Sequence, residues 1–293
     1  MRFDTIAAMA LPDEDLALSA PLAWAWSQRL CRQLDRRGRS CAWFHGGWQY
    51  LRQLDLVTTP GDHAPFYGDA FRTLIRAGAR RVLVAGCADY AMPAHALHAF
   101  ARAGESADLV VIDLCETPLR LASWYGARVG AAIATEVADM VSYRPSKPFD
   151  IVCTHSILGH FAPETRAGLI AHWHSLLAPG GRVVTVNRIR PDAPATVALG
   201  AEHARLFKER LLRDGGGLGL ERAELEALAD GFIATRSSYP VRSAEELRDL
   251  FERGGFRVEA LDLASVEGRG TSGLKLANMA GSAWFASLVA VRA

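Results

Sequence analysis

The sequence predicts an α/β fold built on a largely parallel sheet with helices on both faces, and three observations carry that prediction. Short apolar runs alternate with helical patterns five times along the middle of the chain, the order of successive βα units. Some of these runs are continuously apolar, as in Phe149 to Thr154 (FDIVCT), which is the pattern of a strand covered on both sides. Two last runs, Phe256 to Leu261 and Trp284 to Val291, stand close together and can pair antiparallel at one edge.

Residues 1 to about 75 carry no strand alternation and read as helical. Leu22, Trp26, Leu30 and Leu34 recur at helical spacing, giving an amphipathic helix that ends near Gly38. The segment that follows, CAWFHGGWQYLRQLDLVTTPGDHAPFY, is dense in aromatics and histidine. Two readings stand side by side: packing against the domain behind it, or a lid over a pocket with Tyr50, His63 and Tyr67 as polar tips on an apolar surface.

Arg81 to Asp113 is the most informative stretch. Val82 to Ala85 breaks at Gly86, passes through a small-residue turn, enters a helix opened by Pro93, and ends in Leu109 to Ile112 followed by Asp113. In a right-handed parallel βαβ unit the loop after the first strand lies beside a helix N-terminus, and a carboxylate at the tip of the second strand can meet a ribose diol. The stretch therefore points to a cofactor of nucleoside type.

Thr117 and Pro118 make an N-cap and first-turn pair for a helix to about Gly126, and a short strand is expected near Ala132 to Thr135. After FDIVCT, Pro163 opens a helix to about Leu177, and LLAPGGRVVTVN supplies a helix end, a turn and a fifth strand, Arg182 to Val186. Residues 192 to about 235 read as a helical insertion interrupted at Gly215 to Gly217. Ser243 to Glu246 is a capping box for a helix ending at Gly254 and Gly255.

At 293 residues the chain makes one large domain or a core with an appended cap. A formal charge of +1, from 33 basic and 32 acidic residues, gives no electrostatic footprint for nucleic acid or an anionic membrane surface. The five cysteines are odd in number and scattered, with no CxxC pair, which suits reduced thiols. With no leader pattern and no apolar run of about 18 residues, a soluble cytoplasmic protein is expected.

Taken together, VLVAGCADY, VVIDL, VADM, FDIVCTHSILGHF and LLAPGGRVVTVN, with SAEELRDLFERGGFRVEAL near the end, resemble the class I S-adenosylmethionine-dependent methyltransferases in order and spacing, over residues 78 to 191 and 240 to 293. The resemblance implies a doubly wound, seven-stranded, mostly parallel sheet with a reversed last strand. A helical N-terminal cap or lid would occupy residues 1–75, and a Rossmann-like domain residues 76–293 with the insertion at about 192–235. It implies S-adenosylmethionine as cofactor. Gly86 would let the backbone approach the methionine half, with Ala88 two residues on in the same loop. Asp113 would accept both ribose hydroxyls, Leu114 would pack on the adenine, and Asp139 and Met140 would read its edge. Thr154 and His155 would face the sulfonium and the acceptor. The loop departs from the family at Ala85, Cys87 and Ala88, where an acid and two glycines are usual. Asp89 would then hold the cofactor's amino group, or cap the following helix.

Methyl transfer from a sulfonium needs alignment and an unprotonated acceptor. His155 is the first choice of general base, followed by His160, His63 and Tyr67. His172 and His174 point in different directions on a helix, and Cys153 with His155 offers too few ligands, so no metal site is expected. Ser156 lies outside a G-x-S-x-G elbow, which excludes that hydrolase reading. The rivals are an NAD(P)-dependent oxidoreductase, whose G-x-G-x-x-G is absent, non-methylating cyclisation or lysis of S-adenosylmethionine, and a catalytically silent binding protein. The acceptor is expected to be a small, partly apolar molecule, and the insertion completes its pocket or makes a homodimer contact.

Overall fold

Residues 15–31, 38, 40–235, 237–265 and 284–293 are described by the structure, a computed structural model. Three helices lead the chain: α1 (Leu16–Leu30), α2 (Ala42–Gln53) and α3 (Ala64–Arg76). Then β1 (Arg81–Ala85), α4 (Ala91–Arg102), β2 (Asp108–Asp113), α5 (Glu116–Val129), β3 (Ala134–Val137), β4 (Phe149–His155), α6 (Pro163–Leu176) and β5 (Leu177–Ile189) alternate. A short pair, β6 (Val197–Ala198) and β7 (Ser237–Ser238), brackets α7 (Ala201–Asp214) and α8 (Arg222–Thr235); α9 (Ala244–Arg253), β8 (Phe256–Ser265) and β9 (Trp284–Arg292) follow.

The seven-stranded sheet has the order β3-β2-β1-β4-β5-β9-β8. β1 pairs parallel with β2 and β4, while β9 runs antiparallel to both β5 and β8. The reversed strand is thus second from the edge, not at it. Pairing of Ala85 with Ile112 and of Val84 with Cys153 fixes the register so that Gly86, Asp113 and His155 leave the sheet along one carboxyl-terminal rim.

Alternation along the strands sends side chains to two cores. Val82 and Val84 join Tyr67 and Phe71 of α3, Phe100 of α4 and Tyr125 of α5 on one face. Leu83 and Val152 join Trp173 of α6 and Phe251 of α9 on the other. A third cluster lies away from the sheet, where Trp48, Tyr50 and Leu51 of α2 meet Phe207 of α7 and Leu228 and Phe232 of α8. The N-terminal helices and the insertion therefore pack on each other.

Several boundaries depart from the sequence reading. α1 ends at Leu30 because Cys31 takes a non-helical conformation, and the expected continuation through Leu34 lies outside the described residues. α4 begins two residues before Pro93. Thr117 is not the cap of α5: Cys115 holds that place and Thr117 is fully buried in the first turn, while Gly130 ends the helix at φ 68°. Half of the capping box expected at α9 forms: Glu246 N–H donates to Ser243 Oγ at 3.0 Å, while the Glu246 carboxylate accepts from Arg242 N–H at 2.7 Å, one residue before the N-cap. Among the described residues no helix is long and apolar enough to cross a membrane.

Candidate active site

β1 runs into Gly86 at φ 72°, a left-handed conformation that L side chains rarely adopt. A Cβ there would meet Met140 Cε at 2.5 Å and Ile157 Cδ1 at 2.9 Å. Glycine is required both by the turn and by the close approach of these two side chains. The loops after β1 and β2 are tied together by one carboxylate: Asp113 Oδ2 accepts from Cys87 N–H at 3.0 Å and Oδ1 from Cys115 N–H at 2.8 Å. Burial pushes the Asp113 carboxyl up to about 6, against the opposing pull of His45 and these two N–H donors. A carboxylate offers about four acceptor positions, so two remain for a diol.

These loops border a cavity of about 310 Å³ at the carboxyl-terminal rim of the sheet. Gly86, Ala88, Asp89, Asp113, Leu114, Asp139, Met140, His155 and His160 all line it, from the ends of β1, β2, β3 and β4. Phe44 and Trp48 of α2 and Phe232 of α8 form the apolar wall opposite. Asp139 Oδ1 accepts from Val141 N–H at 3.1 Å in the turn after β3, which fixes its orientation.

Asp89 does not stand open to a ligand's amino group. Its carboxylate forms an ion pair with Arg52 in which both side chains are 2% exposed, and its Oδ1 accepts from Ala91 N–H at 2.8 Å. It accepts the first N–H of α4, whose N-cap place is held by Tyr90, and it neutralises a buried guanidinium.

At the end of β4, the strand next to β1, Tyr67 of α3 donates its hydroxyl proton to the Thr154 carbonyl at 3.1 Å, and the same oxygen lies 3.0 Å from His155 Nδ1. Having one proton, already given to Thr154, the hydroxyl accepts from Nδ1–H. His155 is thereby held in the tautomer whose Nε2 carries the lone pair, and Nε2 is buried with no hydrogen-bond partner among the described residues. Burial first, then the neighbouring His63 and His95, lowers its pKa well below 6.5, which keeps the ring neutral. The chain leaves β4 through Ser156 at φ 52°, a strained non-glycine turn that brings Ile157 over Gly86.

The remaining sequence candidates are placed differently from expectation. Tyr67 is fully buried behind His155, and His63, 6% exposed, lies tilted between His155 and Phe285 with ring centroids at 5.5 and 4.9 Å; neither lines the cavity. Tyr50 is 2% exposed and packs edge-on against Trp24. The three are therefore not tips of a lid, because α3 lies on the sheet and α2 turns this residue toward α1. The Thr154 hydroxyl bonds Thr185 at 2.8 Å on the neighbouring strand and does not face the cavity. His160 is exposed at the rim. His172 lies against Arg144 at 3.1 Å, apart from the cavity.

Sequence reading missed Asn187, Arg188 and Arg190, which enter the cavity wall from the end of β5. Their signal was the polar ending NRIR on an otherwise apolar strand, with the two arginines at the spacing that shares a face. Arg188 lies over Phe285 at 5.5 Å, and Arg190 Nη1 is buried with no hydrogen-bond partner among the described residues. Cys41, His45 and Cys115, also on the wall, were missed as a group.

Residues 82–181, from β1 into β5, match the family model of a methyltransferase domain. The chain carries a methyltransferase domain. The methyltransferase is similar in fold to the magnesium protoporphyrin IX methyltransferase ChlM from Synechocystis PCC 6803, solved with bound SAH, at 16% identity and a TM-score of 0.51, over 84% of this chain and 94% of that one. It is also similar to TehB from Haemophilus influenzae, at 13% identity and a TM-score of 0.50, over 77% of this chain and 62% of that one. No curated protein matches the methyltransferase in sequence.

Proposed function

We propose that the protein transfers the methyl group of S-adenosylmethionine to a small, partly apolar acceptor carrying an anionic group, as an enzyme of specialised metabolism. The observation that carries this reading is one cavity at the carboxyl-terminal rim of the sheet that Gly86, Asp113, His155 and Arg190 line together. The residues suit the cofactor: Gly86 turns the chain at the head of the cavity with no side chain of its own, and Asp113 keeps acceptor positions for two hydroxyls. Leu114, Met140 and Asp139 would hold the base, and Ala88 adds no bulk to the first loop. Bound there, the cofactor supplies a methyl group already activated by a neutral leaving group.

The chain's own residues do the rest. His155 Nε2 takes a proton from the acceptor, Tyr67 fixes the ring, and His63 backs it from the far side. Phe44, Trp48 and Phe232 exclude water and hold an apolar body, while Arg190 faces its charge. In this reading α1, α2 and the insertion act together as the cap of the site. The near-neutral net charge favours a small acceptor over nucleic acid.

Thermal shift with S-adenosylhomocysteine, S-adenosylmethionine, NAD, NADP and FAD tests the cofactor half. A ligand at 100 times its dissociation constant stabilises by about 2.7 kcal/mol. A shift from dinucleotides alone would overturn the reading. Label from methyl-labelled cofactor, followed into carboxylated aromatic acceptors and their neutral amides, tests the other half; label found only in cyclised or lysed cofactor would replace transfer with those reactions.

A further inference from the structure

Four soft donors from four places in the sequence meet beside Asp113. Cys31 ends α1, Cys41 precedes α2, His45 lies in the first turns of α2, and Cys115 caps α5. One ligand atom of each lies within 4.8 Å of all the others. Cys31 Sγ is 3.3 Å from Cys115 Sγ and 3.5 Å from His45 Nδ1. Zinc bonds of about 2.3 Å to sulfur and about 2.0 Å to nitrogen set tetrahedral edges of roughly 3.5 to 3.8 Å, close to these separations. The sulfurs are too far apart for a disulfide, whose bond is about 2.05 Å, and none of the five cysteines is in one.

We infer that Cys31, Cys41, His45 and Cys115 bind one Zn²⁺. The ligand set is three thiolates and an imidazole with no carboxylate oxygen among them, which selects zinc over magnesium or calcium. Cys31, His45 and Cys115 are 8%, 6% and 2% exposed, and the Thr117 hydroxyl, 3.2 Å from Cys31 Sγ, supplies a hydrogen bond to thiolate charge. Cys153, by contrast, sits in the sheet core with its Sγ 3.3 Å from the Met92 thioether sulfur, and it is not part of the cluster. Within the cluster the donors face one another.

Four protein ligands leave no open position, so the ion is structural. It clasps the α1–α2 corner to the loop that carries Asp113, two residues before Cys115. The absence of metal expected from the sequence rested on spacing along the chain. The fold supplies the chelate from residues that no local motif connects.

The test is metal content and ligand spectroscopy on the full chain. Protein purified under reducing conditions and loaded with Zn²⁺ should hold about one ion per chain, and Co²⁺ in its place should give tetrahedral visible bands with thiolate charge transfer. Cys31→Ser and Cys115→Ser should lose both signals, while Cys153→Ala keeps them. If the serine variants do not fold, wild type still decides: zinc should shield Cys31, Cys41 and Cys115 from maleimide, and chelation should expose them. Substoichiometric zinc after loading, Co²⁺ spectra without thiolate bands, equal labelling with and without metal, or equal loss of metal in Cys153→Ala would each overturn the site.

Discussion

The Tyr67 hydroxyl stands 3.0 Å from His155 Nδ1 while its proton goes to the Thr154 carbonyl, so a fully buried phenol sets which nitrogen of the histidine is basic. His155→Asn should lower kcat by about 10²- to 10⁴-fold, the range for a lost general base, with the Kd of S-adenosylhomocysteine little changed. Tyr67→Phe should lower kcat less and cost about 1 to 3 kcal/mol of stability, because the Thr154 carbonyl loses its donor. Steady-state kinetics with calorimetry separates the two, and equal kcat in wild type and His155→Asn removes the base role.

The pH dependence follows from the same ring. His155 is lowered well below 6.5 by burial and by His63 and His95, so its working neutral form persists through pH 6.5. The acid limb assigned to His155 in kcat/KM should therefore lie below that value. Stability has the same sign. Above about pH 6.5 the ring is neutral in both states; below it the unfolded chain binds a proton that the fold refuses, and stability falls as pH drops toward the lowered value. Denaturant melts from pH 8 to 5 on wild type and His155→Asn would show a weaker acid loss in the variant, and parallel curves would refute this assignment.

Asp89 and Arg52 should behave as one buried unit. Asp89→Ala leaves a guanidinium with 2% exposure uncompensated and should cost about 3 to 5 kcal/mol. The double variant Asp89→Asn, Arg52→Met should recover much of that loss. Urea melts on the three variants measure the coupling. A large loss of S-adenosylmethionine affinity in Asp89→Ala with unchanged stability would instead return Asp89 to the cofactor's amino group.

Gly86→Ala meets a φ of 72° and two side chains, the Met140 methyl 2.5 Å and Ile157 Cδ1 2.9 Å from the new Cβ. The backbone part costs about 1 to 2 kcal/mol wherever the side chain is. Met140→Ala should relieve only the Met140 contact. In calorimetry Gly86→Ala should weaken S-adenosylhomocysteine binding, with partial recovery in the double variant. Full recovery would mean that backbone conformation and Ile157 contribute nothing.

The βαβ unit around Gly86 and Asp113 was legible because its signals are local: an apolar run, a break, a helix and a second run ending in acid. Ser243 was legible as an N-cap for the same reason, since its bond to Glu246 N–H closes within one turn. Asp89 was legible as two alternatives, and what separated them was Arg52 on a different helix. Tyr67 and His63 looked like lid residues from their aromatic neighbourhood, yet α3 lies against the sheet, and that docking is decided by β4 and β9 far along the chain. Cys31, Cys41, His45 and Cys115 gave no spacing to read, because the α1–α2 corner meets the α5 cap only after the sheet has formed. Arg190 was hidden in a strand ending whose outward direction depends on the register of β5 with β9.

The placement of β9 between β5 and β8 also bears on how the molecule is made. β5 hydrogen-bonds along its outer side to a strand that leaves the ribosome after every other strand of the sheet. Phe285, which backs His63 and so the ring of His155, arrives on that strand. Asp113 is tied to Cys87 and Cys115 by β1 and β2 alone, whereas the backing of His155 by His63 and Phe285 is complete only once β9 has threaded in beside β5. In the proposed reading the base is thus the part of the site that synthesis completes last.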